Sequence, residues 1–214
     1  EITPAQFDED FAAYVGTELG SVVAGFDRWQ EMQAELHETV QTEDWRLTVA
    51  KAAEAIELFP DYVDEGSPYI AKARAHRELG ESALGIDTLL EYRRRGGYDP
   101  DALIALARSL GEADRTEDAI GVFEDVLMVA PLRPEVHREF GDRLAAAGRA
   151  REALVEYRAL LAMNPQDLAD AHYRLAKTYV ALEDRAKGRE HLLYALEIAP
   201  HYREAQQLLL EVVR

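Results

Sequence analysis

The chain has 214 residues, 48% of them hydrophobic, no cysteine, and a formal charge of −17 from 41 acidic and 24 basic residues. That composition supports a packed core in one array or two small domains, and it excludes a disulfide framework and thiolate metal sites. The acid excess disfavours nucleic-acid phosphate and anionic lipid, and no apolar run approaches the ~20 residues of a membrane span, so no direct membrane insertion is expected.

The first residues read Glu1-Ile2-Thr3-Pro4 without a methionine, as in a processed protein or a fragment of a longer one. Thr3-Pro4 is a helix-start signal, and Phe7, Phe11, Tyr14 and Val15 then mark a short amphipathic helix. Acidic residues crowd this end: residues 1–65 carry 16 acids and 3 bases, leaving 25 acids and 21 bases for the rest. Residues 1–28 form a nonrepeating N-terminal segment.

From there a period emerges. Pro131, Pro165 and Pro200 stand 34 and 35 residues apart, each after a spaced set of small and large apolar residues. In one copy these are Ala119, Phe123 and Val126; in the next, Ala153, Tyr157 and Leu160. The first half of each copy is an amphipathic helix, with Val136, Phe140, Leu144 and Ala147 on one face. Gly148 ends it in a turn, and the second helix, Arg151–Met163, stops at Asn164-Pro165 because proline cannot continue the ladder. A period of this length with this grammar predicts stacked helix-turn-helix repeats.

The copies fall at 66–99, 100–133, 134–167 and 169–202, with a degenerate one at 29–62 carrying Trp45, Thr48, Ala55 and Pro60. Asp61–Pro68 adds about three residues between copies, and Gly97 stands where the pattern calls for proline. The segment 203–214 sets Glu204, Gln207, Glu211 and Arg214 opposite Ala205, Leu208, Leu209 and Val212, the pattern of a capping helix.

Phe140-Gly141, Leu144, Gly148, Ala153, Tyr157, Leu160 and Pro165 together resemble the tetratricopeptide repeat. Leu175-Ala176, Tyr179, Gly188, Leu192, Ala195 and Pro200 carry the same resemblance in the following copy. It implies an all-α, right-handed helix-turn-helix solenoid, an α-α superhelix whose first helices line an inner groove for a protein or peptide partner. The helix Phe7–Tyr14 followed by an acidic array is also similar to the tail that succeeds the catalytic domain in some bacterial gluzincin-type zinc peptidase-like proteins. That second resemblance implies that residues 1–20 lead out of a missing domain.

No His-Glu-x-x-His helix, phosphate-cradling glycine loop or Gly-x-Ser-x-Gly elbow occurs, so no catalytic residue, cofactor or metal is expected. His37, His76, His137, His172, His191 and His201 show no ligand spacing and read as surface or groove-lining side chains. Asp61, Asp64 and Glu65 lack the alternation of a calcium loop.

What remains is the inner face. The ninth position of successive copies holds Arg74, Arg108, Asp142 and Lys177, with Arg77, Arg138, Tyr173 and Arg174 nearby. Stacked cations predict a track for an extended or acidic peptide, with Tyr173, Ile70 and Ile104 as apolar seats. The competing reading pairs each arginine with Glu78, Glu112, Glu139 or Asp142, leaving a solvated face. The expected function is a noncatalytic protein-interaction scaffold. The alternatives are the tail of a larger peptidase-like enzyme, or a self-associating module that forms a homodimer. The sequence names no partner, pathway or compartment.

Overall fold

The structure is a computed structural model that describes residues 3–18 and 20–213. All regular structure among them is helical, and the chain divides into two compact units, Glu1–Asp99 and Pro100–Arg214.

The first unit contains α1 (Pro4–Glu18), α2 (Gly20–Gln41), α3 (Trp45–Leu58), α4 (Pro68–Glu78) and α5 (Ser82–Arg94). α2 packs on α3, α3 on α4 and α4 on α5, whereas α1 touches α2 only sparsely. Phe7 and Phe11 stack 6.1 Å apart on α1, yet Phe7, Phe11 and Tyr14 remain 61%, 57% and 61% exposed. α2 differs from the sequence expectation, since the degenerate repeat was expected to start at residue 29 and its first helix begins at Gly20. No proline lies between Pro4 and Pro60 to stop it, and Met32, Leu36 and Thr39 give its later half a buried stripe.

The second unit contains α6 (Pro100–Glu112), α7 (Thr116–Val129), α8 (Pro134–Ala146), α9 (Ala150–Ala162), α10 (Leu168–Ala181), α11 (Arg185–Ile198) and α12 (Arg203–Val212). Each helix packs on the next, as short antiparallel connections dictate. α12 buries Ala205 against Ala176, Leu192 and Ala195, with Leu208, Leu209 and Val212 packed around them. Its opposite side exposes Glu204, Gln207 and Glu211, and Arg214 of the expected polar stripe lies outside the described residues.

The helices start and stop for local reasons. Pro68 and Pro134 occupy first-turn positions, where no amide hydrogen bond is lost, while Asp44, Asp167 and Asp184 cap α3, α10 and α11 by accepting from Leu47, Asp170 and Lys187 amides. Within each helix pair the turn is a Schellman motif. Arg149 N–H reaches Leu144 O at 2.8 Å and Gly148 N–H reaches Ala145 O at 3.1 Å. The same two bonds recur at Gly80, Asp114 and Glu183.

The residue in the middle of each turn has a positive φ: 56° at Glu43, 76° at Gly80, 59° at Asp114, 75° at Gly148 and 64° at Glu183. A side chain costs roughly 1–2 kcal/mol in that conformation, and the greater chain entropy that glycine loses on folding offsets only part of the relief. Glu183→Gly is therefore expected to stabilise the second unit by about 0.5–1 kcal/mol, read as a raised melting temperature by circular dichroism. An unchanged or lowered melting temperature would contradict this account of the turn.

Small residues allow the helices of a pair to approach. A Cβ on Gly141 would lie 2.5 Å from the Tyr157 ring, so α8 and α9 meet there only because position 141 has no side chain. Gly97 has a comparable reason. A Cβ there would fall 2.3–2.4 Å from three atoms of the Tyr92 ring, which is itself buried. The loop is tied down by Gly97 N–H on Tyr92 O and by Asp99 N–H on the Tyr92 hydroxyl, both at 2.9 Å.

Candidate functional site

In the second unit, α8, α9, α10 and α12 enclose an open cleft of about 560 Å³. Its walls are thin because Ala145, Ala146, Ala150 and Ala181 line them. Small side chains here leave room that larger ones would fill.

The floor is a chain of charges. Arg174 sits between two carboxylates: its guanidinium donates to Asp142, and its Nε donates to Asp170 at 2.6 Å. Tyr157 donates its hydroxyl to Asp142 at 2.7 Å, and the Tyr202 hydroxyl lies 3.4 Å from Asp170. Burial works against the charge on Arg174, but its hydrogen bond to Asp170 and the two nearby carboxylates outweigh that and hold it above the ordinary arginine range. Burial, with Asp142 beside it, pushes the Tyr157 hydroxyl up. Burial and the Asp170 charge do the same to Tyr202. These groups form one mutually satisfied network.

Above the floor, Tyr173 and Tyr202 stand 5.0 Å apart with their rings tilted by 49°. Lys177 is exposed on one wall and Glu204 on another, and neither forms an ion pair among the described residues.

Three of the residues expected from sequence, Tyr173, Arg174 and Lys177, are brought together in this cleft. The others are placed differently. Arg108 lies on α6, where Nε and Nη2 clamp both oxygens of Glu139 at 2.7 and 2.6 Å. Arg138 is exposed on α8. In the first unit, Arg74 covers the Trp45 ring at 5.2 Å from its centroid, and Arg77 pairs with Glu78 at 3.0 Å. Ile104 does not serve as an apolar seat: it is 5% exposed and packs in the core. Half of the expected cations, Arg77, Arg108 and Arg174, are therefore engaged with the protein's own carboxylates, the competing reading foreseen for Glu78, Glu139 and Asp142.

Two histidines read as surface or groove-lining groups are instead buried. His76 Nδ1 meets Glu81 and His137 Nδ1 meets Glu156, both at 2.7 Å, and His137 Nε2 also meets Pro131 O at 2.9 Å. Each side chain fills a gap between helices while finding a carboxylate, which makes it a packing residue. No group of three or more His, Cys, Asp or Glu among the described residues is placed to hold a metal, and no helix among them is long and apolar enough to cross a membrane.

The sequence matches no protein-family model and no curated protein. Solved structures do resemble the fold. YrrB, described as a TPR protein with an unusual peptide-binding site, is 21% identical with a TM-score of 0.68, over 83% of this chain and 89% of its own. A MamA structure is 13% identical with a TM-score of 0.64, over 79% of this chain and 90% of its own. MamA from Desulfovibrio magneticus RS-1 is 25% identical with a TM-score of 0.59, over 67% of this chain and 81% of its own. This chain has the tetratricopeptide-repeat fold.

Within this all-α tetratricopeptide-repeat solenoid, sequence reasoning missed Asp170, Tyr202 and Glu204 as cleft residues. A signal was present. Arg174 and Asp142 are 32 residues apart, and so are Tyr202 and Asp170. Counting that step along the repeat gives the two pairs, and the four-residue spacing of Asp170 and Arg174 on one helix joins them.

Proposed function

We propose that the chain is a noncatalytic protein-interaction module whose cleft on α8, α10 and α12 seats an extended segment of a partner protein. The observation that carries this reading is the division of charge in the cleft. Arg174, Asp142 and Asp170 satisfy one another, leaving Lys177 as an accessible cation beside an alanine-lined, tyrosine-walled space. An apolar side chain of the segment lies against the alanines and Tyr173, and a neighbouring carboxylate meets Lys177. The similarity in fold to a tetratricopeptide-repeat protein with a peptide-binding site supports the same reading. The net charge of −17 argues against phosphate polymers as the partner.

Selection from a displayed random-peptide library tests this. The expected winners pair a bulky apolar residue with a nearby Asp or Glu. Lys177→Glu should weaken them by about tenfold or more, as reversal of one close charge pair does, and flatten the salt dependence. Winners that bind Lys177→Glu and Tyr173→Ala as well as they bind the native chain would place binding elsewhere. Light scattering at several concentrations separates a peptide site from a second copy of the chain seated in the same space.

A further inference from the structure

Behind the cleft, α10 meets α11 through a pair of histidines. His172 Nδ1 and His191 Nδ1 lie 2.9 Å apart, and their ring centroids are 5.2 Å apart with a tilt of 33°. The two nitrogens thus face each other nearly head-on, instead of converging on a third point where a metal would sit. Such a contact holds one proton: one ring donates from Nδ1 and the other accepts.

The pair is walled by aromatic rings. His191 stacks on Tyr179 at 5.4 Å and 13°, while Tyr194 lies 5.2 Å from His172 and 6.1 Å from His191. Charges approach from two helices. α9 supplies Arg158 and α11 supplies Lys187, both over the face of Tyr179, and α11 also supplies Glu190, 3.4 Å from the Tyr194 hydroxyl.

We propose that this histidine pair is an acid-sensitive latch between α10 and α11. When both rings are protonated, each facing nitrogen carries a hydrogen, the shared hydrogen bond is lost and two positive charges are left face to face. α10 then loosens, and α10 carries Tyr173, Arg174 and Lys177. The use of the latch to release a bound segment rests on the proposed function; the latch itself does not.

The direction of the titration agrees. Burial lowers His172 below the ordinary histidine value. Burial lowers His191 first and the His172 charge second, with Glu190 opposing and Arg158 adding to the decrease. Both folded values lie below the unfolded one, so the contribution of the pair is fully present above about pH 6.5 and is lost as the pH falls below it.

Hydrogen exchange on the full chain, corrected for intrinsic rates, tests the latch at about pH 7.5 and about pH 5, on either side of the histidine range. α6 and α7 contain no histidine and serve as the internal control. Amides of α10 and α11 should lose protection on acidification relative to α6 and α7, since the opened state takes up protons that the closed pair resists. His191→Phe keeps a ring against Tyr179 and should shrink the difference to the part that burial of His172 alone supplies. Protection in α10 and α11 that tracks the control, or an acid loss undiminished in His191→Phe, would overturn the latch. Should His191→Phe fold poorly, ring titration of the native chain by NMR decides: both rings titrating at the ordinary histidine value sink the idea. Acid-induced loosening with unchanged peptide affinity would keep the latch and count against the cleft as the binding site.

Discussion

Gly97→Pro, which restores the residue called for by the repeat pattern, is expected to destabilise the first unit by about 3 kcal/mol. The introduced pyrrolidine ring would enter the space held by the Tyr92 ring, where even a Cβ would come within 2.3 Å. The same change removes the Gly97 N–H that donates to Tyr92 O. Tyr92 cannot swing aside cheaply, because it is 1% exposed and its hydroxyl accepts from Asp99 N–H. Trp29 and Trp45 are the only tryptophans and both lie in the first unit, so urea unfolding followed by tryptophan fluorescence reports on it. Gly97→Ala isolates the steric part and should cost less than proline. Native stability in both variants would show that the loop and ring can separate without loss.

Arg174→Ala is expected to cost the second unit about 2–3 kcal/mol, whereas Lys177→Ala should leave its stability unchanged within ~0.5 kcal/mol. Removing the guanidinium leaves Asp142 and Asp170 near each other with no cation between them. The Arg174 and Asp170 side chains are 23% and 20% exposed, while Asp142 at 40% keeps some solvent screening, so the loss falls below that of a fully buried pair. The two substitutions thus separate structure from recognition. Arg174→Ala should lower the melting temperature, and Lys177→Ala should lower affinity for selected peptides at native stability. If Lys177→Ala melts early, or Arg174→Ala melts with the native chain, the assignment of these neighbouring cations is reversed.

Helices α6 to α12 were legible in the sequence because their stripes, their prolines and the turn at Gly148 act locally, within a few residues of one another. The start of α2 was not, because the repeat register placed a boundary where nothing in the backbone requires one. The turns at Asp114 and Glu183 were hidden for a related reason: the geometry of the repeat imposes a left-handed conformation on residues that do not ordinarily choose it.

The candidate site was legible as a set of positions but not as a set of partners. Counting from Pro131, Pro165 and Pro200 put Asp142 and Lys177 in one register, with Arg174 nearby. It left open whether the arginines would face a partner or pair with Glu139 and Asp142, and it did not bring in Asp170 as the second carboxylate on Arg174. Nor could it pair His172 with His191, since the facing of two rings depends on rotamers set by Tyr179 and Tyr194.

The sequence by itself determined that this chain is a run of paired helices, where most of them turn, and that its final helix has one wet face. Those properties follow from chain-local chemistry: proline's missing amide, apolar periodicity and glycine's freedom at Gly148. Only the tertiary structure decided which cations are free to meet a partner. Ion pairing and hydrogen bonding fall off within a few ångströms, and residues 32 apart in the chain come that close only after the helices have packed.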